Sequence, residues 1–234
     1  MERPQNDPVW NYEDLGILLG AVLPCLIVSA VAAKLLSFAI PQKGVVTAIS
    51  QILIYVGVTG SLSFMLQARY GLPFWQAMEF RVPWRNMLLT GLLGPALALC
   101  MAMLALLLRT PQETMALDAL MKDRWSIIAI GFAATTVGPI FEELIFRGFA
   151  QPLFVRSLGL PGGLLATALP FSLLHGPQYN WNWQLLVILT LASISFGIVR
   201  HRTGSTAASS LTHAAYNLTF MAGTIFRGDV LNNS

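Results

Sequence analysis

Between Gly44 and Leu66, and again between Met87 and Leu108, the chain carries no charged residue at all. Leu15 to Leu36 is nearly as apolar, with Lys34 close to its end. An α-helix needs roughly 20 such residues to cross a bilayer, and each of these stretches has them. The composition agrees: 55% of the 234 residues are hydrophobic and the mean hydropathy is +0.64. Only 11% are charged, against about 25% in an ordinary soluble domain. The expected architecture is all-α, a polytopic transmembrane helical bundle of about seven spans, with six to eight as the bounds.

The punctuation places those spans near 15–37, 44–66, 87–108, 126 to beyond 149, 162–174, 184–199 and 205–226. Pro41 and Gly44 end the first span and turn the chain. Residues 67–86 mix Arg69, Arg81 and Arg85 with Trp75 and Trp84, the pattern of an amphipathic helix lying at the membrane surface. Residues 1–13 read as a frayed polar terminus, and 109–124 as the most solvent-like stretch. No positively charged n-region precedes the first span, so it does not read as a cleaved signal. Cys25 and Cys100 both fall within spans and are expected to be small buried hydrophobes, not a redox or metal pair. The net charge of +3 is spread over loops and suits anionic headgroups, not nucleic acid. The whole chain, 1–234, reads as a single integral membrane domain, with 15–108 as scaffold spans and 126–226 as core helices.

Ionisable side chains inside membrane helices are costly and face one another or a cavity. Here they gather late. "PIFEELIFRGF" places Glu142, Glu143 and Arg147 in the fourth span; His175 ends the fifth; His213 and Asn217 lie in the last. Glu143 and Arg147 are four residues apart and share a helix face, as do Phe171 and His175, and His213 and Asn217. Glu142 is rotated by about 100° from Glu143, so the two carboxylates serve different neighbours. Three helices would thus present polar pairs to one chamber. A buried glutamate can take a proton from water, a histidine can orient that water, and imidazole and amide N–H groups can donate to an oxyanion. That set suits peptide hydrolysis. The same cluster could instead serve a proton or solute transporter, or a non-catalytic membrane binding protein.

The three pairs also resemble a known pattern. "EELIFR" (Glu142–Arg147) matches Glu-Glu-x-x-x-Arg, "FSLLH" (Phe171–His175) matches Phe-x-x-x-His, and "HAAYN" (His213–Asn217) matches His-x-x-x-Asn. In that order on hydrophobic segments, they resemble the CPBP family, also called the CAAX protease, bacteriocin-processing or Abi family, which includes the Ras-converting endopeptidases. The resemblance covers about 126–220. It implies an intramembrane glutamic endopeptidase in which Glu142 is the general base and His175 positions the water. It gives His213 and Asn217 to the oxyanion, and makes Glu143 and Arg147 organisers of the site. No cofactor is implied. A zinc site of Glu142, His175 and His213 is the alternative within the enzyme class, although no His-Glu-x-x-His motif occurs. The implied partners are the bilayer and a membrane-associated protein or peptide substrate, prenylated or otherwise hydrophobic. The expected location is the cytoplasmic membrane of a bacterium.

Overall fold

The computed structural model describes residues 7–82, 84–111 and 119–226. Parts of the polar N-terminal stretch (1–6) and of the charged stretch (112–118) lie outside the described residues. Helices α1 (Tyr12–Leu36) and α2 (Lys43–Tyr70) form an antiparallel pair, followed by the single turn α3 (Phe74–Ala77) and α4 (Met87–Leu107). A run from Arg124 to Leu174 then comprises α5 (Arg124–Phe132), α6 (Gly138–Glu143) and α7 (Gln151–Leu174), joined by wider turns. Helices α8 (Trp183–Thr203) and α9 (Thr206–Phe226) complete the described chain.

Local chemistry sets the boundaries. Asn11 caps α1 by accepting from the Glu13 and Asp14 amides, while the Asp14 carboxylate accepts from the Asn11 amide at 2.9 Å. Asp123 caps α5 through the Ser126 amide and hydroxyl, and Asn182 caps α8 through the Leu185 amide. Gly159 adopts φ 69° and ψ 173°, which breaks α7 internally and frees the following residues to change direction.

Among the described residues, five helical runs are long and apolar enough to cross a membrane: Tyr12–Leu36, Lys43–Tyr70, Met87–Leu107, Arg124–Leu174 and Trp183–Thr203. Their outward faces carry exposed Phe64, Leu88, Leu106 and Leu107, a surface that suits lipid and not water. This is an integral membrane protein. Helix α9 is not among the five; it is lined with small and hydroxylated residues and packs inside, chiefly against α4. At their crossing a Cβ on Gly94 would stand 2.6 Å from the Thr212 carbonyl oxygen. The two backbones therefore touch, which is how membrane helices gain van der Waals contact in a solvent as apolar as themselves.

The break at Gly159 sets 162–174 apart from the residues before it. Among the described residues, 67–86 hold the end of α2, the one short helix Phe74–Ala77, which Pro73 starts and Glu79, at φ 47°, ends by turning the chain, and a turn at Trp84–Asn86. One expectation needs correction: Cys25 is only half-buried and Cys100 is exposed; both remain free thiols on helices whose faces need no further burial in lipid.

Candidate active site

The two glutamates stand at the end of α6, between two π-helical segments, Ala133–Val137 and Leu144–Ala150. These close with Gly138 donating to the Ala133 carbonyl and Gln151 to the Phe146 carbonyl, each five residues back. In both places a proline follows at once, Pro139 and Pro152. A proline ring clashes with the carbonyl four residues earlier in an α-helix, and a wider turn relieves the clash. Widening leaves carbonyls for other donors. Asn217 donates to the Ala134 carbonyl at 2.8 Å. The Trp10 indole donates to the Phe149 carbonyl at 3.0 Å and stacks on the Phe149 ring.

Glu143 and Arg147 are fully buried and paired, Arg147 Nη1 lying 2.8 Å from Glu143 Oε1. Arg147 Nη2 donates to the Ser193 carbonyl and hydroxyl oxygens at 2.8 and 2.7 Å. Its guanidinium lies over the rings of Phe171 and Phe196, at 4.7 and 5.5 Å from their centroids, where the negative ring faces offset part of the lost hydration. Glu143 also accepts from the Ser209 hydroxyl at 2.5 Å and from His213 Nδ1 at 3.0 Å. An ionised carboxylate only accepts, so the proton on that side of His213 sits on Nδ1. His213 Nε2 is thereby turned toward Glu142, 3.9 Å from its Oε2. That gap is too long for a hydrogen bond and short enough for one shared water.

Glu142 shares His213 with its neighbour but takes its hydrogen bond from elsewhere. Its side chain is 14% exposed. Oε1 accepts a hydrogen bond from the hydroxyl of Tyr55, on α2. His175 ends α7, with Nδ1 at 2.8 Å from the Phe171 carbonyl. The carbonyl requires Nδ1 to carry the proton, which leaves Nε2 as a lone pair. The His175 ring packs on Phe171, whose ring also meets His213 edge-on.

Glu142, Glu143, Arg147 and His213 thus form one cluster. His175 adjoins it through Phe171, and Asn217 shares the His213 face while holding the Ala134 carbonyl. Four neighbours had not been singled out from the sequence: Tyr55, Ser193, Ser209 and Tyr179. Two had a signal. Gln51, Tyr55 and Thr59 recur at four-residue spacing in a span that carries no charge, and Ser209, His213 and Asn217 do the same in α9. Tyr55 comes from inside 15–108, the part read as scaffold. Tyr179, in the turn after His175, has its hydroxyl pushed up to about 12 by burial and by the negative charge of Glu142, so it remains a neutral phenol.

Among the described residues no group of three or more His, Cys, Asp or Glu side chains converges as metal ligands. The zinc alternative therefore lacks a converged ligand set.

Residues 124–219 match the family model described as type II CAAX prenyl endopeptidase Rce1-like. The match spans less than half of the 234 residues, and it contains all six candidate side chains. It does not reach α1, α2 or α4. No curated protein and no solved structure gives a significant match.

Proposed function

We propose that this chain is an intramembrane endopeptidase that hydrolyses a peptide bond with water activated by Glu142. The observation that carries the reading is the division of labour between adjacent carboxylates. Glu143 is neutralised by Arg147 and fully buried, while Glu142 keeps an open oxygen facing the His213 imidazole across 3.9 Å. The match to an endopeptidase family over the same residues supports it.

Glu142 Oε2 takes a proton from a water held also by the His175 Nε2 lone pair. The resulting hydroxide attacks the peptide carbonyl carbon, and the carbonyl π pair moves to oxygen. His213, protonated on both nitrogens and held at Nδ1 by Glu143, donates through Nε2 to that oxyanion. The second N–H of Asn217 donates with it. Glu142 then passes its proton to the amide nitrogen, the oxyanion collapses and the C–N bond breaks. The products are a carboxylic acid and an amine, with water consumed and the catalyst restored. Donors fixed before reaction, in a site that excludes bulk water, account for the rate.

The substrate class is a membrane-associated protein or peptide, prenylated or otherwise hydrophobic, since the cluster lies on membrane helices. We place the protein in a bacterial cytoplasmic membrane. The test is mass-spectrometric cleavage of a mixed peptide library, prenylated members included, by purified protein in lipid. Wild type cleaves with or without a chelator. Glu142→Gln lowers kcat by about 10²–10⁴-fold while remaining folded. Equal cleavage by both proteins overturns the reading. Loss of wild-type cleavage to the chelator, restored by zinc, replaces it with a metal mechanism.

A further inference from the structure

Helix α2 lies outside the matched residues 124–219, yet its Tyr55 donates a hydrogen bond to Glu142. Resting on the reading above, we infer that Tyr55 is a positioning residue that pins Oε1 of Glu142 and so selects Oε2 as the oxygen that accepts the proton from water.

The argument runs through the phenol's single hydrogen. Tyr55 is 9% exposed. Its ring stacks on that of Phe141, the residue before Glu142, with centroids 5.6 Å apart and planes 1° from parallel. That stacking fixes where the hydroxyl stands. Gln51, one turn earlier on α2, donates from Nε2 to the Tyr55 oxygen at 2.7 Å. The phenol oxygen is thus an acceptor toward Gln51, and its hydrogen is committed to Glu142 Oε1, since a carboxylate has none to give. With Oε1 so engaged, the carboxylate cannot spin freely, and Oε2 is presented to His213 Nε2 at 3.9 Å.

The other groups facing Glu142 do not duplicate this. Arg147 lies one turn on along the same run and is committed to Glu143 and Ser193. Glu143 is directed to Arg147, Ser209 and His213. Tyr179 feels the Glu142 charge from the turn after α7 and stays neutral.

The experiment compares wild type, Tyr55→Phe, Gln51→Leu and Glu142→Gln in lipid. Tyr55→Phe keeps the ring on Phe141 and removes only the hydroxyl. It is expected to lower kcat by about 10- to 100-fold, the worth of a hydrogen bond to a charged group, with KM within about twofold. Gln51→Leu lowers kcat in the same direction by less. A structural role alone would lower thermal stability and leave kcat of the folded protein in place. Isotope-edited infrared spectra of Glu142 supply a readout independent of turnover: its carboxylate band shifts in Tyr55→Phe. An unmoved band overturns the inference whatever the activity. Unchanged kcat in Tyr55→Phe, with Glu142→Gln inactive, overturns the inference and leaves the protease reading standing. Full activity in Glu142→Gln overturns both.

Discussion

The hydroxyls along α2 and the polar groups around Glu143 are satisfied in different ways. In α2, Thr47 donates to the Lys43 carbonyl, Ser50 to Val46 and Ser61 to Gly57, each one turn back along the same helix. Around Glu143 and its neighbours the bonds cross between elements. Arg147 reaches Ser193, Ser209 reaches Glu143, Gln151 reaches the Gly197 carbonyl, and Ser172 reaches the Leu186 carbonyl. A bond back to a helix's own carbonyl satisfies the hydroxyl but says nothing about where the neighbouring helix lies. A bond across helices fixes that position, and a chemical site needs positions held closely. Tyr55 joins α2 to that set, since its bond crosses to Glu142, and Trp10 and Thr212 tie the two parts of the chain together elsewhere.

The sharpest way to break this contrast is to strand a buried charge. Arg147→Met leaves Glu143 without its cation and is expected to cost about 3–5 kcal/mol. Unfolding in detergent or lipid measures it, and the double variant Arg147→Met/Glu143→Leu should recover part of the loss. A cost no greater than that of an exposed substitution would mean that Glu143 is not charged there.

A matched pair of serines tests the contrast on equal chemistry. Ser209→Ala removes a cross-helix bond to a buried carboxylate and is expected to cost about 1.5–3 kcal/mol. Ser50→Ala removes a bond within one helix, though Ser50 also lends its carbonyl to Ser29. Its expected cost is within about 0.5 kcal/mol, the range of a neutral surface change. Equal costs would erase the distinction between the two kinds of bond.

The smallest effect lies where the later half begins. The Ser126 hydroxyl and amide hold the Asp123 carboxyl below the usual range. A depressed value in the folded state means that the cap contributes fully above the ordinary aspartate range and is lost as pH falls through the lowered value. Protection of the amides in the first turn of α5, measured against their intrinsic exchange rate, should therefore fall on acidification. Asp123→Ser, which keeps a cap without a charge, should remove that dependence. Persistence of the acid effect in Asp123→Ser would assign it to another group.

Much of this was legible in the chain. Charge-free runs of membrane length required helices, because lipid offers the backbone no other partner. Polar residues four apart had to share a face, so Glu143 with Arg147, and His213 with Asn217, could be paired on paper. The different environments of Glu142 and Glu143 followed from the rotation between adjacent helical residues. Less was legible where proline met glutamate. Pro139 and Pro152 are visible in the sequence, but whether a helix breaks, kinks or widens there depends on which donors stand ready to take the freed carbonyls. Here Asn217, from α9, takes the Ala134 carbonyl five residues before Pro139.

Periodicity along one helix therefore determined the membrane spans, the faces and the members of the polar cluster. Only the tertiary structure decided the bonding of each carboxylate oxygen. Tyr55 and Glu142 are 87 residues apart, and a one-dimensional pattern carries no distance between residues on separate helices. That distance is set by how closely small side chains, such as Gly94 beside Thr212, let the backbones approach.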